Sequence, residues 1–183
     1  HALDLAKQGV KVALISSGDS GIYGMAGLAL ELWLNERVDS RPLFQVHPGI
    51  SSFQMAAAKL GAPFMHDFCS ISLSDLLTPW NQIEKRIKSA AIGDFVLAIF
   101  NPKSIKRYWQ LKKTVDLLLE FRKPSTPVAI ARQLGRPEES IELHTLETLP
   151  FDQVDMLTIL VIGNSQSVIK NNKFLTPRGY FSI

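Results

Sequence analysis

The chain has very little cysteine and no long hydrophobic run. Among its 183 residues there is one cysteine, Cys69, which excludes an internal disulfide and a cysteine-ligated metal cluster. The longest apolar runs, 95–100 and 157–162, are far shorter than the ~18 residues that a membrane-spanning helix needs. No signal-peptide pattern stands at the start of the sequence. We therefore expect a cytoplasmic protein with no membrane partner.

Several common binding signatures are also absent. The sequence contains neither the G-x-G-x-x-G pattern of dinucleotide sites nor the G-x-x-x-x-G-K-[ST] pattern of triphosphate sites. RNP, KH, zinc-finger and helix-turn-helix signatures are missing, so we expect no nucleic acid partner. No His-x-x-x-His spacing occurs, and we expect no metal site. The net charge is only +3, but basic residues gather in 103–113 and 132–136, which favours a small acidic ligand.

The most informative segment that is present is the Gly-rich stretch Ser16 to Gly24. It follows the apolar run 10–15 and precedes the helix-like run 25–33. A strand that runs into a turn and then a helix exposes several backbone N–H groups at one point, and Asp19 places a carboxylate beside them. This predicts a small-molecule site. The alternative is a structural turn in which Asp19 caps the helix.

The order of apolar runs predicts an α/β protein with two domains. Residues 1–100 are predicted to form a parallel α/β domain, and 101–183 a smaller α+β domain, because Asn101-Pro102 interrupts a buried strand and the composition then becomes basic. The predicted helices cover 1–8, 23–35, 53–60, 80–91 and 105–122. The predicted strands cover 11–16, 43–46, 69–73, 94–100, 127–132, 140–145 and 157–163, with a turn or edge over 174–180.

Six separated segments resemble the tetrapyrrole methyltransferases. They are 16–24, 47–52, 66–80, 100–104, 131–137 and 176–180. The resemblance implies a homodimer of chains with two α/β domains and a cleft between them that binds S-adenosylmethionine. The blocks 66–80, 101–102 and 176–180 are similar to members that methylate C17 of precorrin-3B or cobalt-factor III, with ring contraction, in cobalamin biosynthesis. A corrinoid tetrapyrrole is therefore the expected substrate.

The resemblance also implies which residues bind the ligands. The expected cofactor-binding residues are Gly18, Asp19, Ile22, Ser51, Ser52, Phe100, Asn101, Leu134, Met156, Leu157 and Thr158. A corrinoid precursor carries many acetate and propionate groups, which arginine and lysine bind well. The candidate substrate-binding residues are Tyr23, His47, Lys103, Arg107, Arg132, Arg136 and Arg178. Each cation has a solvated surface role as its alternative, and His47 a capping or core role. No residue is identified as the catalytic acid or base.

One departure from the family pattern leaves the activity open. Family members open with a strand and a Gly-Pro-Gly loop, and nothing in this sequence corresponds to them, so the natural beginning is expected to be missing. The alternatives to the C17 reaction are another methyltransferase of the same family and a truncated fragment that binds S-adenosylmethionine or a tetrapyrrole without activity.

Overall fold

The structure, a computed structural model, describes residues 1–181, which fall into two units that divide between Ser52 and Phe53. The first unit contains α1 (Ala2–Lys7), α2 (Met25–Leu34) and a short 3-10 helix (Val38–Ser40). The helices predicted over 1–8 and 23–35 are confirmed.

The two strands predicted over 11–16 and 43–46 are wrong. Within residues 1–181, neither segment pairs with another strand. Their apolar side chains are largely exposed, with Ile15 at 93% and Leu43 at 89% exposure. A strand exists only where a neighbour supplies partners for its backbone N–H and C=O groups, and an apolar run alone cannot supply one.

Side chains rather than strand pairing hold the end of α2. The Nη2 group of Arg41 donates to the carbonyl oxygen of Leu34 at 2.6 Å, near the end of the helix. Its guanidinium also lies 4.8 Å from the centre of the Trp33 ring, and the Trp33 Nε1–H donates to the carbonyl of Pro42 at 2.8 Å. A cation at the C-terminus of a helix is stabilising because the last carbonyls carry partial negative charge.

The second unit alternates helices and strands. The helices are α3 (Ser52–Leu60, whose first residue belongs to the first unit), α4 (Trp80–Ile92) and α5 (Gln110–Leu119), and a 3-10 helix covers Phe151–Gln153. The strands are β1 (Gly61–Ala62), β2 (Phe68–Ser72), β3 (Val96–Phe100), β4 (Pro127–Arg132), β5 (Ser140–Thr145), β6 (Thr158–Ile162), β7 (Val168–Lys170) and β8 (Lys173–Leu175). All three predicted helices are present, but the one predicted over 105–122 is shorter.

Five of these strands form a mixed sheet in the order β2-β3-β6-β4-β5. The predicted parallel arrangement holds for β2 and β3, whereas β6 lies antiparallel to both β3 and β4, and β4 lies antiparallel to β5. Strands on both sides of the boundary predicted after Phe100 therefore share one sheet, because β3 bonds directly to β6. The division into domains 1–100 and 101–183 stays a prediction, and the units of the structure divide elsewhere.

The sheet is buried on both faces, as the continuous apolar content of the strand at 94–100 predicts. One face carries large side chains, such as Leu97 and Ile99 of β3, which share a core cluster with buried residues of α4 and α5. The other face carries alanines, including Ala98 and Ala129, which cluster with Ala56 of α3. Packing on both faces therefore fixes the position of the strand ends, where the loops with polar side chains begin.

Candidate functional site

Asp19 joins two turns of the first unit. Its Oδ1 accepts hydrogen bonds from the backbone N–H groups of Gly21, at 2.8 Å, and Ile22, at 3.1 Å. Its Oδ2 accepts a bond from the N–H of Gly49 at 2.8 Å. A second link runs from the Ser20 hydroxyl, which donates to the carbonyl oxygen of His47 at 3.0 Å. The segments 16–24 and 47–52, which the sequence singled out separately, thus form one structure, here called the paired turns.

The paired turns need glycine because their backbones approach closely. A Cβ atom on Gly49 would lie 2.2 Å from the carbonyl oxygen of Gly18, and one on Gly24 would lie 2.5 Å from the carbonyl oxygen of Ser20. Both distances are too short for any side chain. Gly18 itself has φ +74°, and Tyr23 adopts φ 52°, which is uncommon for a residue with a Cβ.

Asp19 does not cap α2, which corrects the alternative that the sequence offered. The residue before the helix is Gly24, which makes no side-chain capping bond. Hydrogen bonds from the N–H groups of Gly49, Gly21 and Ile22 keep the pKa of Asp19 below its usual range, and desolvation opposes them only in part. Three of the roughly four acceptor positions of the carboxylate are thereby used inside the protein. Its direct hydrogen bond to a cofactor stays a prediction.

The remaining predicted residues of the first unit surround the paired turns in different ways. Ile22 is 36% exposed and the Tyr23 side chain is exposed, whereas Ser51 is buried and Ser52 begins α3. His47 contributes its backbone carbonyl to the link with Ser20. The structure thus brings the predicted residues of this unit into one region.

In the second unit, most predicted residues lie along one side of the five-stranded sheet, at the ends of its strands and not along an outermost strand. Ser72 of β2 pairs with Phe100 of β3, so both strands end there, and Arg132 at the end of β4 pairs with Thr158 at the start of β6. The strand directions in the sheet place these residues together. Ligands bind at the carboxyl ends of strands in open α/β sheets, and Phe100 and Arg132 occupy such ends, whereas Thr158 lies at the amino end of the antiparallel β6. We call this region the site edge.

Asn101 occupies the site edge in a left-handed conformation, with φ 50°. Its side-chain Nδ2 donates to the Ser72 hydroxyl oxygen at 2.9 Å, and its carbonyl oxygen accepts a bond from Arg107 Nη2 at 3.0 Å. Arg107 Nη2 also lies 3.2 Å from the Met156 sulfur. These contacts join the loop after β3 to the loop before β6.

Asp155 organises that second loop, and the sequence analysis missed it. Its carboxylate accepts hydrogen bonds from the Thr158 hydroxyl at 2.7 Å, the Leu157 N–H at 2.9 Å and Arg132 Nη2 at 2.9 Å. Burial opposes ionisation, but these bonds outweigh it and hold the pKa of Asp155 below its usual range. Met156 and Leu157 are left 49% and 45% exposed beside a buried Thr158. An aspartate that precedes Thr158 by three residues, directly before an apolar strand, was the available signal.

Leu134 also lies near the site edge. It is half-buried against the core cluster on the alanine face, and it follows Gln133, whose N–H donates to the carbonyl of Leu157 at 2.9 Å. Gln133 adopts φ 50°, which turns the chain away from β4. The segment after β4 and the segment before β6 are therefore joined by a backbone hydrogen bond.

The candidate cations are in different surroundings. Lys103 donates to the carbonyl oxygen of Phe151 at 2.6 Å, and Arg132 is paired with Asp155. Arg136 is exposed.

Arg178 is also exposed and lines a pocket of about 330 Å³ with His66, next to Phe68 and Phe95. Phe68 begins β2 and Phe95 precedes β3, so this pocket lies at the sheet edge opposite the site edge. The structure does not bring Arg178 together with the other candidates of this unit.

Among residues 1–181, no helix is long and apolar enough to cross a membrane. Over the same residues, no three side chains of His, Cys, Asp or Glu are grouped so that they could hold a metal ion.

Comparison with known proteins decides the family. A family model described as Tetrapyrrole (Corrin/Porphyrin) Methylases matches residues 2–150. The chain belongs to this family. The membership confirms the resemblance that the six sequence segments carry, and tetrapyrrole methylases use S-adenosylmethionine as their methyl donor.

Individual relatives support the same assignment. The chain is similar to the "Probable cobalt-factor III C(17)-methyltransferase" of Salmonella typhimurium, with 47% identity over 98% of the chain and 73% of that protein. It is 44% identical to the "Cobalt-factor III methyltransferase" of Priestia megaterium, over 98% of the chain and 34% of that longer protein. The crystal structure of the methyltransferase CobJ has a TM-score of 0.91 and 35% identity, over 96% of the chain and 73% of that structure. The α/β fold of the tetrapyrrole methylases, which the sequence predicts, is thereby confirmed.

The chemistry of the residues at the site edge suits S-adenosylmethionine, the cofactor of the tetrapyrrole methylases. S-adenosylmethionine has a flat adenine and methylene groups beside its sulfonium, and the half-exposed side chains of Met156 and Leu157 offer apolar surface that suits these parts. In the first unit, the paired turns expose the backbone of their glycines. At Gly24 and Gly49 a side chain would collide with the neighbouring backbone.

Proposed function

We propose that this protein methylates C17 of cobalt-factor III, with contraction of the ring, as a step of cobalamin biosynthesis. The observation that carries the proposal is the 47% identity, over 98% of the chain, to the Salmonella protein named for this reaction. The TM-score of 0.91 with CobJ supports it. Metal-free precorrin-3B is the alternative substrate, and the cobalt that distinguishes the two belongs to the substrate.

The proposed chemistry asks the protein mainly for alignment. S-adenosylmethionine supplies a methyl group on a sulfonium, and transfer to carbon is an in-line displacement that requires no side-chain nucleophile. The chain has to orient both reactants and exclude water. In this proposal the apolar surface of Met156 and Leu157 excludes water, and the bonds that Asp155 makes to Leu157 N–H and Thr158 keep that surface in place.

The proposed ligand contacts follow from the expectations above. In the first unit, Gly18, Ile22, Ser51 and Ser52 contact the cofactor, and Asp19 fixes the backbone of the paired turns around Gly49. In the second unit, the proposed cofactor contacts are Phe100, Asn101, Leu134, Met156, Leu157 and Thr158. Tyr23, His47 and the cations at the site edge are proposed to contact the tetrapyrrole.

An anaerobic incubation with S-adenosylmethionine and cobalt-factor III tests the proposal. We expect one methyl group to be added at C17, located by NMR, together with release of S-adenosylhomocysteine. A parallel incubation with precorrin-3B shows which substrate is preferred. Methylation of uroporphyrinogen III instead would replace the proposal by another activity of the same family.

The incubation, combined with a calorimetric titration, distinguishes an inactive fragment. For such a fragment, S-adenosylhomocysteine binds at one site in the titration while ATP and NAD do not bind, and the incubation adds no methyl group to any tetrapyrrole. Absence of S-adenosylhomocysteine binding would contradict the proposed cofactor contacts in both units.

We also propose that the chain forms a homodimer in the cytoplasm. Exposed apolar side chains on α2, including Leu28 at 54% and Leu32 at 54%, are consistent with a partner surface. Light scattering over a range of concentrations tests the dimer, and a constant monomer mass would refute it. The cytoplasmic location is supported by the low cysteine content, and cell fractionation tests it.

A further inference from the structure

Arg107 is a buried cation at the site edge. It is 6% exposed, and it follows β3 by seven residues. Its Nε and Nη2 groups donate to the carbonyl oxygen of Asn101, at 3.3 and 3.0 Å, and Nη2 also lies 3.2 Å from the sulfur of Met156. The left-handed backbone of Asn101, with φ 50°, places this carbonyl where the guanidinium meets it.

None of these partners carries a negative charge. Among residues 1–181, no carboxylate lies within ion-pair distance of the Arg107 guanidinium. A carbonyl oxygen is a neutral acceptor, and a thioether sulfur is a weak one. Burial of a cation without an anion costs free energy, so the surroundings of Arg107 are incomplete as they stand.

One end of the guanidinium remains open. Asn101 occupies the edge formed by Nε and Nη2, and no described residue accepts a bond from Nη1. Nη1 is nevertheless not among the side-chain atoms that are sealed from solvent without a partner. Nη1 therefore keeps some contact with solvent, and Nη2 of the same guanidinium meets Met156, which is 49% exposed.

The other arginines and lysines proposed for the substrate differ from Arg107. Arg132 is already paired with the carboxylate of Asp155, and Lys103, which donates to the carbonyl oxygen of Phe151, is only half-buried. Arg136 and Arg178 are exposed and lose little by facing water. The second buried arginine of the described chain, Arg122, binds two backbone carbonyls at the opposite edge of the sheet.

We propose that Arg107 binds a carboxylate of a ligand at the site edge, through Nη1 and the N–H of Nη2 that otherwise meets the sulfur of Met156, a weak acceptor that the carboxylate replaces. A planar guanidinium matches the two oxygens of a carboxylate, and the carbonyl of Asn101 fixes its orientation beforehand. The inference rests on the proposed function, which offers two sources of that carboxylate. One is an acetate or propionate group of the tetrapyrrole, and the other is the amino acid end of S-adenosylmethionine.

The test compares Arg107→Met with Arg107→Lys and with Arg86→Met, which removes an exposed arginine of α4. Each variant is titrated with uroporphyrin III, a stable tetrapyrrole that carries many carboxylates, and with S-adenosylhomocysteine. Methylthioadenosine, which lacks the amino acid end, is the third probe. Thermal melting of each variant is measured alongside.

A selective loss supports the proposal and identifies the source. If the carboxylate belongs to the tetrapyrrole, Arg107→Met weakens uroporphyrin binding about tenfold or more, Arg107→Lys less, and S-adenosylhomocysteine binding is unchanged. If it belongs to the cofactor, S-adenosylhomocysteine binding weakens by a similar factor, while methylthioadenosine binding is unchanged. Arg86→Met leaves the affinity for all three probes as it is.

Other results overturn the proposal. Unchanged affinity of Arg107→Met for uroporphyrin and S-adenosylhomocysteine would show that no ligand carboxylate meets this group. Equal losses for all three probes, together with a lower melting temperature in both Arg107 variants, would make Arg107 a purely structural residue. These titrations do not depend on turnover, so failure of the C17 assay with selective binding intact would contradict the proposed function and leave the role of Arg107 standing.

Discussion

The carboxylate of Asp19 holds the backbone N–H of Gly49, 30 residues further along the chain, at 2.8 Å. The same carboxylate bonds to Gly21 and Ile22 within its own turn. One side chain therefore determines the relative position of two segments that the sequence associates with the cofactor, and the first two predictions follow from this arrangement.

Asp19→Ala is expected to weaken the binding of S-adenosylhomocysteine. The substitution removes the acceptor for three backbone N–H groups, so the paired turns lose their link at Gly49 and adopt several arrangements. Calorimetric titration measures the dissociation constant, and Asp39→Ala, at an exposed aspartate of the same unit, is the matched control. An unchanged dissociation constant in Asp19→Ala would remove this residue from the site.

Gly49→Ala is expected to abolish or strongly weaken S-adenosylhomocysteine binding. Its Cβ would lie 2.2 Å from the carbonyl oxygen of Gly18, so the two turns must separate. Gly27→Ala is the matched control, because nothing lies within 4 Å of a Cβ there and the residue is inside α2. That control should bind normally and gain roughly 0.5–1 kcal/mol of helix stability. Normal binding by Gly49→Ala would show that the paired turns do not contact the cofactor.

Asp155→Asn is expected to reduce stability at neutral pH and to lose this effect in acid. The pKa of Asp155 is lowered in the folded protein, so its contribution is present above the unfolded value near 3.8 and is lost as the pH falls through the folded value. Urea unfolding at neutral pH and at about pH 3 compares the variant with the wild type. The difference should shrink in acid.

Asp152→Asn is the control for that series, because Asp152 is an exposed residue of the neighbouring 3-10 helix. It should differ little from the wild type at either pH. A stability difference for Asp155→Asn that stays constant down to low pH would mean that the ionised carboxylate does not organise the loop with Arg132 and Thr158.

Arg122→Met is expected to destabilise the second unit by about 2 kcal/mol, since it removes the donor to one buried and one partly buried carbonyl oxygen. Nη1 of Arg122 donates to Gly163 at 2.6 Å and Nη2 to Phe95 at 2.5 Å, which joins the end of β6 to the start of β3. Burial lowers the pKa of this guanidinium to about 10, so it remains charged at neutral pH. Urea unfolding measures the effect against Arg86→Met. Equal stability of the two variants would show that these bonds contribute nothing.

Sequence patterns were sufficient to place most helices and strands of the second unit, although not the directions of all its strands. The strands at 127–132 and 140–145 have the predicted bounds, and the strand at 94–100 is buried on both faces as its composition requires. These elements follow from local apolar content and from turns rich in Gly, Pro and Asp, which are properties that a single sequence displays.

Tertiary structure decided the rest. The segment 11–16 has a strand pattern but no strand partner in the described chain, because pairing is a relation between segments and no local run contains it. The sequence by itself determined the family, the order of the elements in the second unit and the residue types at the site edge. Only the fold decided that Asp19 binds backbone rather than caps a helix, that Asp155 organises the loop before β6, and that Arg107 is buried without an anion, since each depends on groups brought together from distant positions.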